Sequence, residues 1–317
     1  DRVLGRRVRE VLPGIEPVWI DTYGRVALNG EDARFQDYVA ELGSYFDILA
    51  FSPEKGRFAV IFDNVTERKL AEQKITRLTN LYAALSKTNK AIVRIGEREA
   101  LFREICRVAV ELGGFKFAWI GVPEAENGGV RVEVSHGDDQ GYLADINISL
   151  DPNLPQGRGP TGTAIREGRA YIANDYAADP NTAPWRAALF ERGIRAAAAF
   201  PLKQEAKPVG ALTLYATETD YFDENMVDLL KEMAHDISFA LDNFEQKKIR
   251  ESLERQLFWN GQADHALAEI SDVTLSTDMS VDSVSEIILA WSQALTQSAI
   301  GFVGYATASQ GWMIFVW

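Results

Sequence analysis

The stretch that most constrains the fold runs from Gly157 to Leu214, GRGPTGTAIREGRAYIANDYAADPNTAPWRAALFERGIRAAAAFPLKQEAKPVGALTL. It opens on a glycine-rich turn in which Gly157, Gly159 and Gly162 are free to take positive φ, and Thr161 or Thr163 is placed to cap a short helix that Gly168 ends. A short strand at 170–173 runs into Asn174-Asp175, and a polar loop holding Asp179, Pro180, Pro184 and Trp185 leads to a second helix. Apolar runs at 195–202 and 209–217 flank Lys207-Pro208, which predicts a β-hairpin with its turn at that dipeptide. Two such strands need further strands beside them and helices over them.

The flanking sequence supplies both. Residues 97–112 form an amphipathic pattern with Leu101, Ile105, Val108 and Leu112 on one face, stopped by Gly113-Gly114. Segments 116–122 and 130–135 flank Asn127-Gly128-Gly129, a hairpin signal. Beyond the central stretch, Asp220-Tyr-Phe-Asp223 is placed to cap a helix, and 225–257 then contains neither glycine nor proline. The ordered succession G-x-G-P-x-G, helix, strand ending in Asn174-Asp175, D-P…P-W loop, F-P-L and V-G-A-L-x-L-Y resembles the GAF domain over roughly residues 88–244. The resemblance implies an α+β fold, a central antiparallel sheet flanked by helices, serving as a small-molecule or light sensor without chemistry of its own.

By the same resemblance the pocket lies between the sheet and residues 137–195, which makes Trp119, Tyr142, Asp175, Tyr176, Trp185, Phe200 and Tyr215 its candidate lining. The competing reading of each aromatic is a core residue, and of Asp175 a cap or turn residue. Trp185 follows Pro184 in a polar loop with little evident core to join. The cofactor stays unknown. Cyclic-nucleotide-binding GAF domains carry an Asn-Lys-x-x-Phe-Asp-Glu motif that is missing here, bilin-binding members attach pigment through a pocket cysteine, and the single cysteine, Cys106, falls in the first helix. The glycine turn lacks the Gly-Lys-Ser/Thr ending of a nucleotide-hydrolysing loop.

Residues 1–68 read as a short helix at 6–12, a strand-like run at 18–28, and further strands at 36–42, 46–52 and 57–62. The run FSPEKGRFAVIFDNVTERKLAEQ from Phe51 resembles the C-terminal half of a PAS domain leaving through an exit helix. As such a half, the segment is not expected to bind a cofactor. A helix at 263 onward, another at 281–295, and strands at 299–305 and 311–317 resemble the start of a second GAF domain. The expected division is therefore 1–66 partial PAS domain, 67–92 helical linker, 93–245 GAF domain, 246–262 helical linker, and 263–317 truncated second GAF domain. Both ends look cut. The linker helices carry narrow apolar stripes, including Leu78 and Leu85 in the first and Met233, Ile237, Leu241 and Phe244 in the second, that predict a parallel homodimer.

Charge and composition exclude several classes. Lys plus Arg number 33 against 46 Asp plus Glu, a formal charge of −13, which argues against a nucleic-acid surface. No apolar run approaches the roughly 20 residues of a membrane span, so a cytoplasmic protein is expected. His136, His235 and His265 form no ligand cluster, and no metal site is evident. His235 lies in a sequence superficially like a phospho-acceptor helix but lacks its His-Glu-x-x-x-Pro pattern, and His136 is expected in a turn. A sulfoxide reductase built on this fold would need reactive cysteines in the pocket. The expectation is a non-catalytic sensory region of a bacterial-type signalling protein. It would bind a small ligand and relay its state through dimeric helices to an output domain in cis, a histidine kinase or a cyclic-di-GMP enzyme in relatives. The alternative is a ligand-free dimerisation spacer.

Overall fold

The computed structural model describes the chain except for residues 1–3, 12, 16, 41, 126–127, 276–280, 297–302, 307–312 and 317. At the N-terminus, α1 (Val8–Val11) and α2 (Pro17–Asn29) precede an antiparallel meander of β1 (Ala33–Val39), β2 (Ser44–Phe51) and β3 (Ala59–Asn64). The run at 18–28, expected as a strand, is helical. Pro17 opens it at a position where a missing N–H costs nothing, and Trp19, Thr22 and Val26 recur at helical spacing on its buried face while Val18 and Leu28 stay exposed. At the end of the meander, Thr66 Oγ1 accepts the Tyr45 N–H at 2.9 Å and Asn64 Oδ1 accepts the Thr66 N–H at 3.0 Å. These bonds tie the start of α3 (Thr66–Arg94) to β2.

The larger unit follows as α4 (Arg98–Glu111), β4 (Phe117–Pro123), β5 (Val130–Gly137), α5 (Pro160–Glu167), β6 (Tyr171–Ala173), α6 (Arg186–Glu191), β7 (Ala196–Gln204) and β8 (Lys207–Ala216). Its five strands make one antiparallel sheet in the order β5-β4-β8-β7-β6. Alternate residues point to opposite faces of a strand, and the strands divide accordingly. Ala118, Ile120, Ala198, Phe200, Leu202, Leu212 and Leu214 join a core under α3 and α4. Phe117, Trp119, Ala197, Ala199, Ala211 and Tyr215 join a second core under α5 and α6.

The β7–β8 turn sits two residues before the expected one. Glu205 and Ala206, at φ +49° and +63°, make the reversal, while Lys207 and Pro208 already pair with Gln204 and Lys203. Two consecutive positive φ values are the signature of the tight turn whose twist matches a hairpin.

Asp223 caps α7 (Glu224–Leu275) by accepting the Met226 N–H at 2.9 Å. This helix is 52 residues long and passes through the expected restart at 263 without interruption; Gly261 within it meets nothing that would demand a break. Near its end α7 packs against α8 (Val281–Thr296), where the Trp291 Nε1–H donates to Glu269 at 2.7 Å. A two-stranded pair, β9 (Val303–Ala306) and β10 (Met313–Val316), closes the described chain.

The stripes read as dimer seams are occupied within the chain. Leu85, Met233, Ile237 and Leu241 are buried in the α3/α4 core, and Leu78 and Phe244 pack against it. The reason is topological: α3 leads into the unit and α7 leaves it on the same face of the sheet, so the two stripes meet each other. An Arg77–Glu218 pair and a Lys74–Asp223 pair at 3.0 Å fasten α3 to the segment that begins α7.

Candidate functional site

The face of the sheet under α5 and α6 holds an aromatic box. Phe117 and Trp119 come from β4 and Tyr215 from β8, with Phe117 and Tyr215 stacked at 4.2 Å between ring centroids. Tyr142 meets both edge-on from the connection after β5. Tyr176 follows β6, and Trp185 ends a short 3-10 segment at 180–185. All six are buried.

Local sequence explains how the loops reach in. Asp179 Oδ1 accepts the Asn181 N–H at 2.9 Å and Oδ2 accepts the Tyr171 hydroxyl at 2.8 Å, so one carboxylate starts the 3-10 segment and pins it to β6. Buried Thr182 seats its hydroxyl between the carbonyls of Tyr176 and Asp179, at 2.6 and 2.8 Å. Trp185 then lies over the start of α5 and donates its indole N–H to the Asn147 carbonyl at 3.2 Å. It is a core residue that had no visible core in the sequence, because that core is assembled from Gly159 and the 147–149 segment.

The glycine turn works by close approach and not by positive φ. None of Gly157, Gly159 and Gly162 has positive φ. A Cβ on Gly159 would lie 2.3 Å from the Trp185 ring, and one on Gly157 would lie 1.8 Å from the Asp151 carbonyl oxygen. Neither threonine caps α5. Thr163 bonds back to the Arg158 carbonyl at 3.0 Å, and Thr161 shares a fully buried 2.9 Å hydroxyl pair with Thr213 of β8. Gly168 ends the helix at φ +63°, as expected.

Of the seven residues named from sequence, Trp119, Tyr142, Tyr176, Trp185 and Tyr215 converge on this box. Phe200 does not: it is one residue out of phase with Ala199 and faces the α3/α4 core. Asp175 is exposed and accepts the N–H groups of Ala177 and Ala178 at 3.1 and 3.0 Å, a turn-capping role. Phe117, Ile148, Thr161 and Thr213 were missed. Strand parity with Trp119 and Tyr215 was the available signal for Phe117 and Thr213; nothing local marked the other two. His136, expected in a turn, sits in β5 with Nε2 at 3.4 Å from a Glu111 oxygen.

The box carries hydroxyls and no charged lining group. Burial raises the Tyr142 phenol well above its ordinary range, with the neighbouring Tyr215 and Tyr176 adding to the shift. Burial likewise raises Tyr176 strongly and pushes Tyr215 up to about 12. All three are neutral phenols, able to donate and to accept. The Trp119 indole N–H is buried without a well-formed hydrogen bond among the described residues, although its approach to the Tyr215 hydroxyl favours that group's ionised form. The cavity left between the rings is about 10 Å³, roughly one water in size.

A family model described as GAF domain matches residues 97–242. The chain carries a GAF domain. Solved structures similar to it include a free methionine-R-sulfoxide reductase from Neisseria meningitidis in complex with its substrate, at 18% identity over 53% of this chain and 91% of that one, TM-score 0.45. The A. aeolicus nlh2 GAF domain in an inactive state shares 16% identity over 54% of this chain and 99% of that one, TM-score 0.41. The GAF domain of a phosphoenolpyruvate-protein phosphotransferase from Coxiella burnetii shares 13% over 54% and 98%, TM-score 0.45. Among curated proteins none matches this chain. Residues 97–242 span α4 through most of the packed part of α7, so the aromatic box lies within the matched range, as does the α3/α4 core apart from Leu81, Leu85 and Ala91, which α3 supplies.

Proposed function

We propose that this chain is the sensory region of a signalling protein, with the aromatic box of the GAF domain as its ligand site. The observation that carries the reading is the buried Trp119 N–H without a well-formed bond among the described residues, in the same core as the five other buried rings. Leaving such a donor unpaired costs about 1–3 kcal/mol, a cost that a ligand acceptor removes. With no charged lining group, the box suits a compact neutral or cationic metabolite held by ring faces and hydroxyls. Entry requires the 174–186 segment to lift, since the cavity now holds about 10 Å³. The same small volume favours a second reading, a GAF domain that binds nothing and serves as a dimerisation spacer.

The reading is non-catalytic. Cys106 is buried in the α3/α4 core, across the sheet from the box, and burial raises its thiol far above the reactive range. Further parts of the reading are that 1–66 is the C-terminal part of a PAS domain, that 263–317 begins a second GAF domain, and that the protein is cytoplasmic. Support comes from the meander that feeds α3 and from the helix-then-strand order after α7. Among the described residues no helix is long and apolar enough to cross a membrane. The signal leaves along α7 to an output domain in cis. Dimerisation uses its projecting part, where Ile249, Leu253 and Leu257 are exposed.

A thermal-shift screen of cytosolic metabolites tests the ligand reading. At a hundredfold excess over Kd, a true ligand stabilises by about 2.7 kcal/mol, a rise of several degrees for a domain of this size. Trp119→Phe removes the donor and should abolish the rise. A screen with no concentration-dependent rise establishes the spacer.

A further inference from the structure

On the other side of the sheet, where β6 stops short, a groove of about 640 Å³ runs between β7 and α7. β6 pairs only with Ala197–Ala199, so the chain from Phe200 to Lys203 has no strand outside it. The β7–β8 register shifts between Leu202 and Lys203, and the Lys203 N–H donates to Ser238 Oγ of α7 at 2.9 Å. From α7, Lys231, His235 and Phe239 project at intervals of four residues into the same groove, and Arg169 closes it from the α5–β6 turn.

The charge there is opposite to that of the molecule. The lining carries three cations, Arg169, Lys203 and Lys231, against one carboxylate, Asp242, in a chain of formal charge −13. Asp242 already accepts the Glu205 N–H at 2.6 Å. Lys231 and Arg169 pair with Asp228 and Glu167, but those pairs are largely solvent-exposed and easily exchanged. Lys203 has no ion pair among the described residues. Below the cations the groove is apolar, with Phe200 and Ala234 as floor and Phe239, 61% exposed, as an aromatic wall.

We infer that this groove binds a small organic anion, a phosphate or carboxylate carried on an aromatic body, with its head on Lys203 and Lys231 and its ring against Phe239. The site is separate from the aromatic box, which lies on the opposite face and has no charged lining. A ligand seated here touches β7 and α7 together, so it braces the sheet against the helix that leaves the domain.

The test is isothermal titration of the full chain with 1-naphthyl phosphate, 1-naphthoate, 1-naphthol and inorganic phosphate. One of the two naphthyl anions should bind, and which binds tighter assigns the head group. Lys203→Gln and Lys231→Gln should each weaken that binding by about tenfold or more, the size expected for a charge-assisted bond, and Phe239→Ser should weaken it comparably. Both lysines are solvent-accessible, and an unchanged thermal midpoint confirms that the variants fold. Trp185→Phe, in the box, should leave the affinity unaltered. The proposal is overturned if neither anion binds, if 1-naphthol or inorganic phosphate binds as tightly, or if affinity follows Trp185 instead of the lysines.

Discussion

At Gly159 the absence of a side chain is what lets Trp185 lie down on α5. Gly159→Ala would drive a Cβ to 2.3 Å from the indole ring, and overpacking of this kind costs about 1–3 kcal/mol. Urea denaturation followed by tryptophan fluorescence should show the loss, and an unchanged midpoint would mean that the ring has room to move. Cys106 offers a second test. Its thiol is fully buried and shifted upward by burial, so a disulfide-exchange reagent should leave the native protein unlabelled and react completely in denaturant. Fast native labelling would contradict the packing of α4 described here. Residue identity alone could not separate these roles. Phe200 and Tyr215 both sit on apolar strands, and only the register, which pairs Ala199 with Thr213, assigns them to opposite faces.

Elements were more legible than residues, for a physical reason. A helix or a hairpin is written in the periodicity and turn chemistry of its own segment, so α3, α4, α5 and the β7–β8 hairpin could be placed to within a few residues. The run at 18–28 misled because its β-branched and aromatic residues favour strands while their spacing of three and four residues fits a helix, and burial of one face decided the matter. The β7–β8 turn misled because Lys-Pro looked like the reversal, whereas Glu205 and Ala206 take the positive φ values. Ala206→Gly relieves a left-handed alanine and should stabilise the domain by about 0.5–1 kcal/mol; a loss of stability would show that the turn has a different conformation. Asp223→Ala removes the α7 cap and should cost about 1 kcal/mol, read as a lower thermal midpoint with unchanged helix content.

For the whole molecule, the pairing of α3 with α7 matters most, because it separates residues that hold the domain from residues free to meet a second copy. Ile237→Asp places a carboxylate in a fully buried position and should unfold the domain outright, since an unpaired buried charge costs several kcal/mol. Leu253→Asp with Leu257→Asp should leave it folded and, in the proposed dimer, halve the mass seen by light scattering. A mass unchanged by the second pair would remove the projecting part of α7 as the seam. By itself the sequence determined the α+β class and the order of elements from α4 to β8, because these follow from local periodicity and turn chemistry, and its resemblance to the GAF domain pointed to most of the rings that form the box. Only the tertiary structure decided which apolar stripe was already used, that the box is closed around about 10 Å³, and that cations from a turn, a strand and a helix share one groove. Those properties arise between segments far apart in the chain, where strand register and helix docking set the distances.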